Sequence, residues 1–213
     1  MDTIIFGVPQ PPSSSLTPYR SLIRTVQPVV EPVSLSAAKT QCRVDTDVDD
    51  AYIQSLISVA RQYVEDTLDI TLLTTTWQVR YDLFPTWTIN LPRPMLQNKP
   101  ITVTYKQGDG VYYPLSSTSG HFQYDCNSIP GKIYPLWAST WPATRGDENS
   151  VVVEFTAGYG DDGSKVPPVA RHLILMLVAH WYDSRQPVAS AAANPVPQTF
   201  ETLLAASGLG IYR

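Results

Sequence analysis

The stretch of this sequence that most suggests chemistry is EFTAGYGDDGSKVPP, Glu154 to Pro168. Gly158 and Gly163 stand at the spacing of a phosphate-binding loop, behind a strand-like run from Val151 to Phe155. Such a loop needs its lysine directly after the second glycine, so that the ammonium reaches the terminal phosphates. Here Ser164 precedes Lys165, and Asp161 and Asp162 occupy the positions where backbone N–H groups would cradle anionic oxygens. Val166-Pro167-Pro168 then delays the helix whose N-terminus would have to face the ligand. The residues describe a strand end, a Gly/Asp turn and a helix that tolerates proline in its first turn.

The other candidate chemistries fail in similar ways. Asp45, Asp47 and Asp49 match the first three ligand positions of a calcium loop. Its sixth position is Asp50 instead of glycine and its twelfth is Leu56 instead of glutamate, so the sharp turn and the bidentate ligand are both missing. The cluster reads as the start of a helix, with carboxylates capping N–H groups and opposing the dipole. His172 and His180 could share a helix face, but only Asp183 is near enough in sequence to make a third ligand. His121 lies in a β run beside Phe122, with no nucleophile near it. Cys42 and Cys126 are far apart and read as reduced thiols. No Gly-x-Ser-x-Gly, His-Glu-x-x-His or Cys-x-x-Cys pattern occurs. The expectation is a protein that is not an enzyme and needs no cofactor and no metal.

Composition sets the frame for the elements. The chain has 213 residues, 43% of them hydrophobic, enough for one sizeable core. Its formal net charge of -4 and lack of any basic run argue against DNA binding through phosphate neutralisation. The N-terminus has no basic region ahead of its apolar run and does not read as a signal peptide. The longest apolar stretch, Leu173 to Ala179, is too short to span a bilayer.

Residues 1–33 carry six prolines and read as an extended arm, unable to hold a helix and without strand alternation. Its Ile4, Ile5, Phe6, Leu16, Tyr19, Leu22 and Ile23 are too apolar for a solvated linker, so the arm needs a surface to lie on. A short capped helix is expected near 34–42 and a long one over 48–68. In the latter Ile53, Leu56, Ile57, Ala60, Val64 and Leu68 face inward, with Arg61 and Glu65 on the opposite face. Residues 74–156 are β-rich, a series of short runs of β-branched and aromatic residues, with a hairpin at Gly108-Asp109-Gly110. Arg145-Gly146-Asp147 is a polar turn before the last of these strands. A helix over 168–184 is apolar nearly all round, and a chain of this size struggles to cover it alone. Leu175, Met176 and Ala179, off its main apolar stripe, are therefore candidate subunit-interface residues. In the tail, 187–213, QTFETLLAAS reads as a short amphipathic helix whose apolar residues stand exposed unless docked.

The expected fold class is α+β: a helical bundle with an inserted β-rich region and extended terminal arms. The ordered set LPRPMLQ, ITVTYKQGDG, WPATRGDENSVVVEFTAGYGD and VPPVARHLILMLVAHWYDSR, following TTTWQVRYDLFP, resembles the head–tail connector (adaptor) proteins of tailed double-stranded-DNA bacteriophages over about residues 34–186. The resemblance implies a structural virion protein of the neck, present in host cytoplasm during assembly. It implies a ring, usually twelvefold, docked beneath the portal protein and offering its other face to a stopper or tail protein. DNA would pass through the ring without specific binding, and no membrane is involved. The C-terminal segment would reach the portal, which makes Phe200, Leu203, Leu204, Leu209 and Tyr212 candidate docking residues. The rival reading is a β-rich ligand- or carbohydrate-binding module of a phage tail or lysis protein, which would explain five tryptophans and twelve tyrosines.

Neither ATP nor a chelator is expected to change the melting temperature. A ligand-dependent rise of several degrees in a thermal melt, the mark of tight binding to the native state, would overturn the non-catalytic reading.

Overall fold

A computed structural model describes residues 19–94, 96–184 and 198–209. In chain order these form β1 (Ser21–Val26), α1 (Leu35–Cys42), α2 (Asp50–Leu68), β2 (Thr75–Tyr81), β3 (Ile89–Asn90), β4 (Thr102–Lys106), β5 (Tyr112–Leu115), β6 (Phe122–Asp125), β7 (Lys132–Pro135), β8 (Val151–Ala157), α3 (Pro168–Asp183) and α4 (Gln198–Ala206). The described residues thus form a mixed α+β fold of four helices and two antiparallel sheets.

The larger sheet has the order β1-β2-β8-β4-β5, and the smaller β3-β7-β6. In β2 and β8 alternate residues are buried, as period-two strands with one face on a core require. The register sets Trp77 opposite Phe155, Val79 opposite Val153 and Tyr81 opposite Val151. These rows share one core with Ile89, Leu91, Phe122 and Ile133 around the smaller sheet. The hairpin at Gly108-Asp109-Gly110 forms between β4 and β5, with Asp109 Oδ1 accepting the Val111 N–H at 2.9 Å and Gly110 at φ 82°.

The helices enclose a second core, in which Ile53, Ile57, Val64, Leu173 and Leu177 are almost fully buried. Each such side chain contributes roughly 1.5–3 kcal/mol by leaving water. Ser34 caps α1, its Oγ accepting the Ala37 N–H at 3.1 Å, and Arg43 ends it in the left-handed conformation.

Four expectations change. Residues 21–26 are not strandless: β1 pairs antiparallel with β2 along the sheet edge, so backbone hydrogen bonds anchor a segment whose side chains alternate poorly. Asp49 stands at the N-cap of α2 but makes no side-chain cap there; its Oδ2 accepts from the Tyr182 hydroxyl at 2.7 Å. Asp47 and Asp50 instead pair with Lys39 at 2.6 and 2.8 Å. Arg61 and Glu65 are buried, not on an outer polar face. Finally, much of the apolar surface of α3 is covered within the chain, where it packs on α1, α2 and α4, while Leu175, Met176 and Ala179 stay half-buried.

The corner after β8 is a close-packed turn. Gly158 has φ 124°, and a Cβ there would come within 2.4 Å of the Leu73 carbonyl oxygen. A Cβ on Gly163 would meet the Pro32 carbonyl oxygen at 2.6 Å. Asp162 accepts the Ser164 N–H at 2.9 Å and so closes the turn that leads into α3. Gly158→Ala should cost about 1–3 kcal/mol in chemical denaturation, whereas Gly108→Ala, with open space around it, should be close to neutral.

Candidate functional site

The residues with the densest polar chemistry hold the two cores together. The Glu65 carboxylate is fully buried. Its Oε1 accepts the Leu72 N–H at 2.9 Å, and its Oε2 accepts from Arg24 at 2.9 Å and Arg61 at 3.1 Å. Arg61 in turn donates through Nε to Glu31 at 2.8 Å, and the Ser58 hydroxyl donates to the same carboxylate at 2.7 Å. Burial works against the Arg61 charge, but the Glu31 and Glu65 carboxylates outweigh it and hold its pKa above the usual guanidinium value.

The network continues onto Trp77 of β2. The guanidiniums of Arg24 and Arg93 lie 4.8 and 5.0 Å from the Trp77 ring centroid, and its indole N–H donates to the Thr71 hydroxyl at 3.0 Å. Arg93 also donates to the Glu65 carbonyl oxygen and to Asp66, both at 2.8 Å. Four residues further on, the Gln97 amide donates to the Thr74 hydroxyl at 2.8 Å and the Gly158 carbonyl oxygen at 3.0 Å. Arg93 and Gln97 are the polar residues of LPRPMLQ, and Gly158 belongs to the EFTAGYG run. The segments that carried the family resemblance therefore meet at one junction. Sequence reading missed this network, because Arg24, Glu31 and Arg93 are each solitary in sequence. The one local signal was the Arg61/Glu65 pair at helical spacing.

The candidate interface and docking residues lie elsewhere. Leu175, Met176 and Ala179 are half-buried on α3, with Leu175 and Met176 resting against the helical core. Phe200 is buried at 1% exposure, its ring 6.0 Å from that of Tyr63. The expected exposure of this residue is corrected: α4 docks on its own chain with Phe200 as the plug. Leu203, Leu204 and Leu209 are half-buried beside it, and Tyr212 lies outside the described residues.

Among the described residues no group of three His, Cys, Asp or Glu side chains could hold a metal ion, and no helix is long and apolar enough to cross a membrane. An open cleft of about 590 Å³ is lined by Tyr105, Gln107, Tyr113, Leu115, His121 and Trp141, among others. Trp141 stacks on Phe84 with centroids 4.8 Å apart. None of the lining residues is acidic, and the Gln107 amide is turned to the Tyr105 hydroxyl at 2.7 Å. The cleft can stack a flat or apolar group but holds no acid–base pair. The Cys42 thiol, pushed up by burial and then by Asp183, is not an activated nucleophile. Asp147, in the Arg145-Gly146-Asp147 turn, is held below the usual carboxylate range by the Ser150 hydroxyl and Lys106, a structural arrangement ahead of β8.

Comparison with known proteins agrees with the resemblance. Residues 32–97 match the family of Phage gp6-like head-tail connector proteins. That span begins directly after Glu31, near the end of the strap formed by β1 and the chain that follows it to Val33, and runs through α1 and α2 to Gln97. Among solved structures, a chain in the neck of an empty GTA particle, computed with C6 symmetry, superposes with a TM-score of 0.72 at 18% identity, covering 87% of this chain and 94% of that one. A chain in the virion of the native gene transfer agent particle gives 0.67 at 18% identity, with 87% and 93% covered. A third, from the native GTA neck computed with C12 symmetry, gives 0.57 at 20% identity, with 84% and 94% covered. At these identities the shared property is the fold. No curated protein matches the chain.

Glu65→Leu should cost about 3–5 kcal/mol, because it takes the shared carboxylate from the buried Arg61 and the partly buried Arg24 and leaves the Leu72 N–H without an acceptor. Glu65→Gln, which keeps the shape and the acceptor for Leu72, should cost less. Urea titrations of both variants check this order, and equal losses would show that the charge is not what matters.

Proposed function

We propose that this protein is a structural virion protein, a head–tail connector of a tailed phage or phage-like particle. The observation that carries the reading is the coincidence of two independent likenesses: the connector-family match over 32–97 and the neck-chain fold over most of the chain. The chain would act by assembly and not by catalysis, as a homo-oligomeric ring beneath the portal that extends the DNA channel and receives a stopper or tail protein. An acidic chain suits a channel through which DNA must slide, since grip requires clustered Lys and Arg.

The division of labour follows the chain. The arm, 1–33, would tether through the residues ahead of β1, since β1 and Glu31 are built into the body, and the connector body would span 34–186 as a helical bundle with the β-rich insertion 74–156. The tail, 187–213, would dock on the portal. Half-buried Leu175, Met176 and Ala179 would contribute to the subunit contact. With Phe200 committed to the protein's own core, docking falls to Leu203, Leu204, Leu209 and the terminal residues. The aromatic cleft favours a second reading, a ligand-binding module, in which a soluble glycan or aromatic ligand would bind there without any ring.

Reconstitution on portal-bearing heads tests the proposal. The wild-type chain should bind as a ring. A chain ending at residue 197 should fold, melt at lower temperature because the Phe200 plug is gone, and fail to attach. Normal attachment of the truncated chain removes the docking role of the tail. A wild-type chain that ignores heads but binds a glycan in the cleft favours the second reading.

A further inference from the structure

Between Tyr52 and Tyr63 the outward face of α2 exposes no charged side chain. Its exposed positions between the two tyrosines at its ends are Tyr52, Gln54, Ser55, Val59, Gln62 and Tyr63. The one charged side chain in that stretch, Arg61, is turned inward to Glu31 and Glu65. Surface helices ordinarily keep charges on the solvent side and apolar groups within. The acids beyond that stretch are ion-paired, Asp50 with Lys39 at 2.8 Å and the exposed Asp66 with Arg93 at 2.8 Å.

The face is also wide and pre-ordered. On one flank the ring of Tyr63 meets Trp181 edge-on at 5.9 Å, and Tyr52 lies 6.2 Å from Tyr182, so rotamer freedom is already restricted. On the other flank Glu31 binds Ser58 and Arg61, which lays the uncharged strap Gln27–Val30 beside the helix. Val29 there is 99% exposed and Val59 on the helix 52% exposed. Rigid aromatic and aliphatic anchors without charge are what the buried centre of a protein interface contains.

Charge selects the occupant. A nucleic acid or a charged peptide would need complementary charges on this face, and between Tyr52 and Tyr63 it exposes none. A second copy of the chain brings a net charge of -4 to a chain of the same charge, and an uncharged stretch such as Tyr52–Tyr63 is where it meets least repulsion. We propose that the outward face of α2, with the adjoining strap, is where a second copy of this chain packs. The inference rests on the ring reading above and gives the ring one of its two contact faces. A contact between two different faces of identical copies closes on itself when the rotation per step divides a circle.

The test is made on the full chain carrying a photo-reactive benzophenone amino acid in place of Val59. It is irradiated at high concentration alone and on portal-bearing heads, after light scattering has measured the wild-type oligomer. The expected product is two copies of the chain joined through position 59. Val59→Asp should lower the assembled fraction about tenfold or more while shifting the melting temperature by no more than about 2 °C; Ile23→Asp, an exposed substitution on the sheet, should assemble normally. A crosslink to a different protein, or an oligomer of normal mass with no chain-to-chain crosslink, overturns the proposal and leaves the ring intact. A wild-type chain that stays monomeric under both conditions defeats the ring reading itself, and with it this face.

Discussion

Everything else in this fold depends on one buried carboxylate. Glu65 accepts hydrogen bonds from the strap through Arg24, from its own helix through Arg61 and from the backbone of the following loop through Leu72. A buried ion pair of this kind is weak evidence for net stability, since well-packed apolar residues of the same volume often do as well. Its value lies in the penalty for misplacement. Losing any one partner leaves the buried carboxylate less fully paired in a dry site, so the strap, α2 and the 70–77 segment favour a single relative position. Arg93 and Trp77 carry that constraint from the helical core into the sheet.

The constraint accounts for how two separate cores behave as one body. The helical core and the inter-sheet core are distinct clusters of buried side chains. Hydrophobic burial is non-directional and would tolerate many relative orientations of the two. Directional contacts choose among them: Arg93 to the end of α2, Gln97 to the corner at Gly158, and Gly158 and Gly163 against backbone carbonyls of Leu73 and Pro32. The two glycines permit approaches that any side chain would block. The turn that first suggests a phosphate site is therefore glycine-rich because backbone must come close to backbone, and not because an anion must.

How much of this was legible in the sequence depended on range. Signals that act within one element were read correctly: the apolar period of α2, the β-branched and aromatic runs that form β2 and β8, the hairpin at Gly108-Asp109-Gly110 and the Ser34 cap. Signals that need a distant partner were misread. Arg61 and Glu65 look like solvent-facing residues until Arg24 and Glu31 arrive from the strap. Asp49 looks like a cap until Tyr182 reaches it across 133 positions of chain. The strap looks strandless because its side chains do not alternate, yet a strand at a sheet edge needs only a backbone to pair with. Phe200 looks like an exposed anchor because the pocket that receives it is built from α2 and α3. The family resemblance succeeded because the ordered segments it used, LPRPMLQ and EFTAGYG among them, are the ones that meet at the junction.

The same inward turn of charge links stability to assembly. A helix of nineteen residues that lies on the surface needs polar groups, and α2 has Arg61 and Glu65 to offer. Had they faced solvent, the outer face would have been charged and the inner face purely apolar, the ordinary arrangement. The strap changes the balance by delivering Arg24 and Glu31, which neutralise both groups inside. The helix can then bury these two charges and expose Val59 between two tyrosines. On this view the strap does two things with one set of contacts: it fixes the frame of the fold and clears charge from the surface that α2 presents. A chain without the strap would suffer in both, because Arg61 would lose Glu31, Glu65 would lose Arg24, and the freed groups would draw water to the face that is otherwise left uncharged.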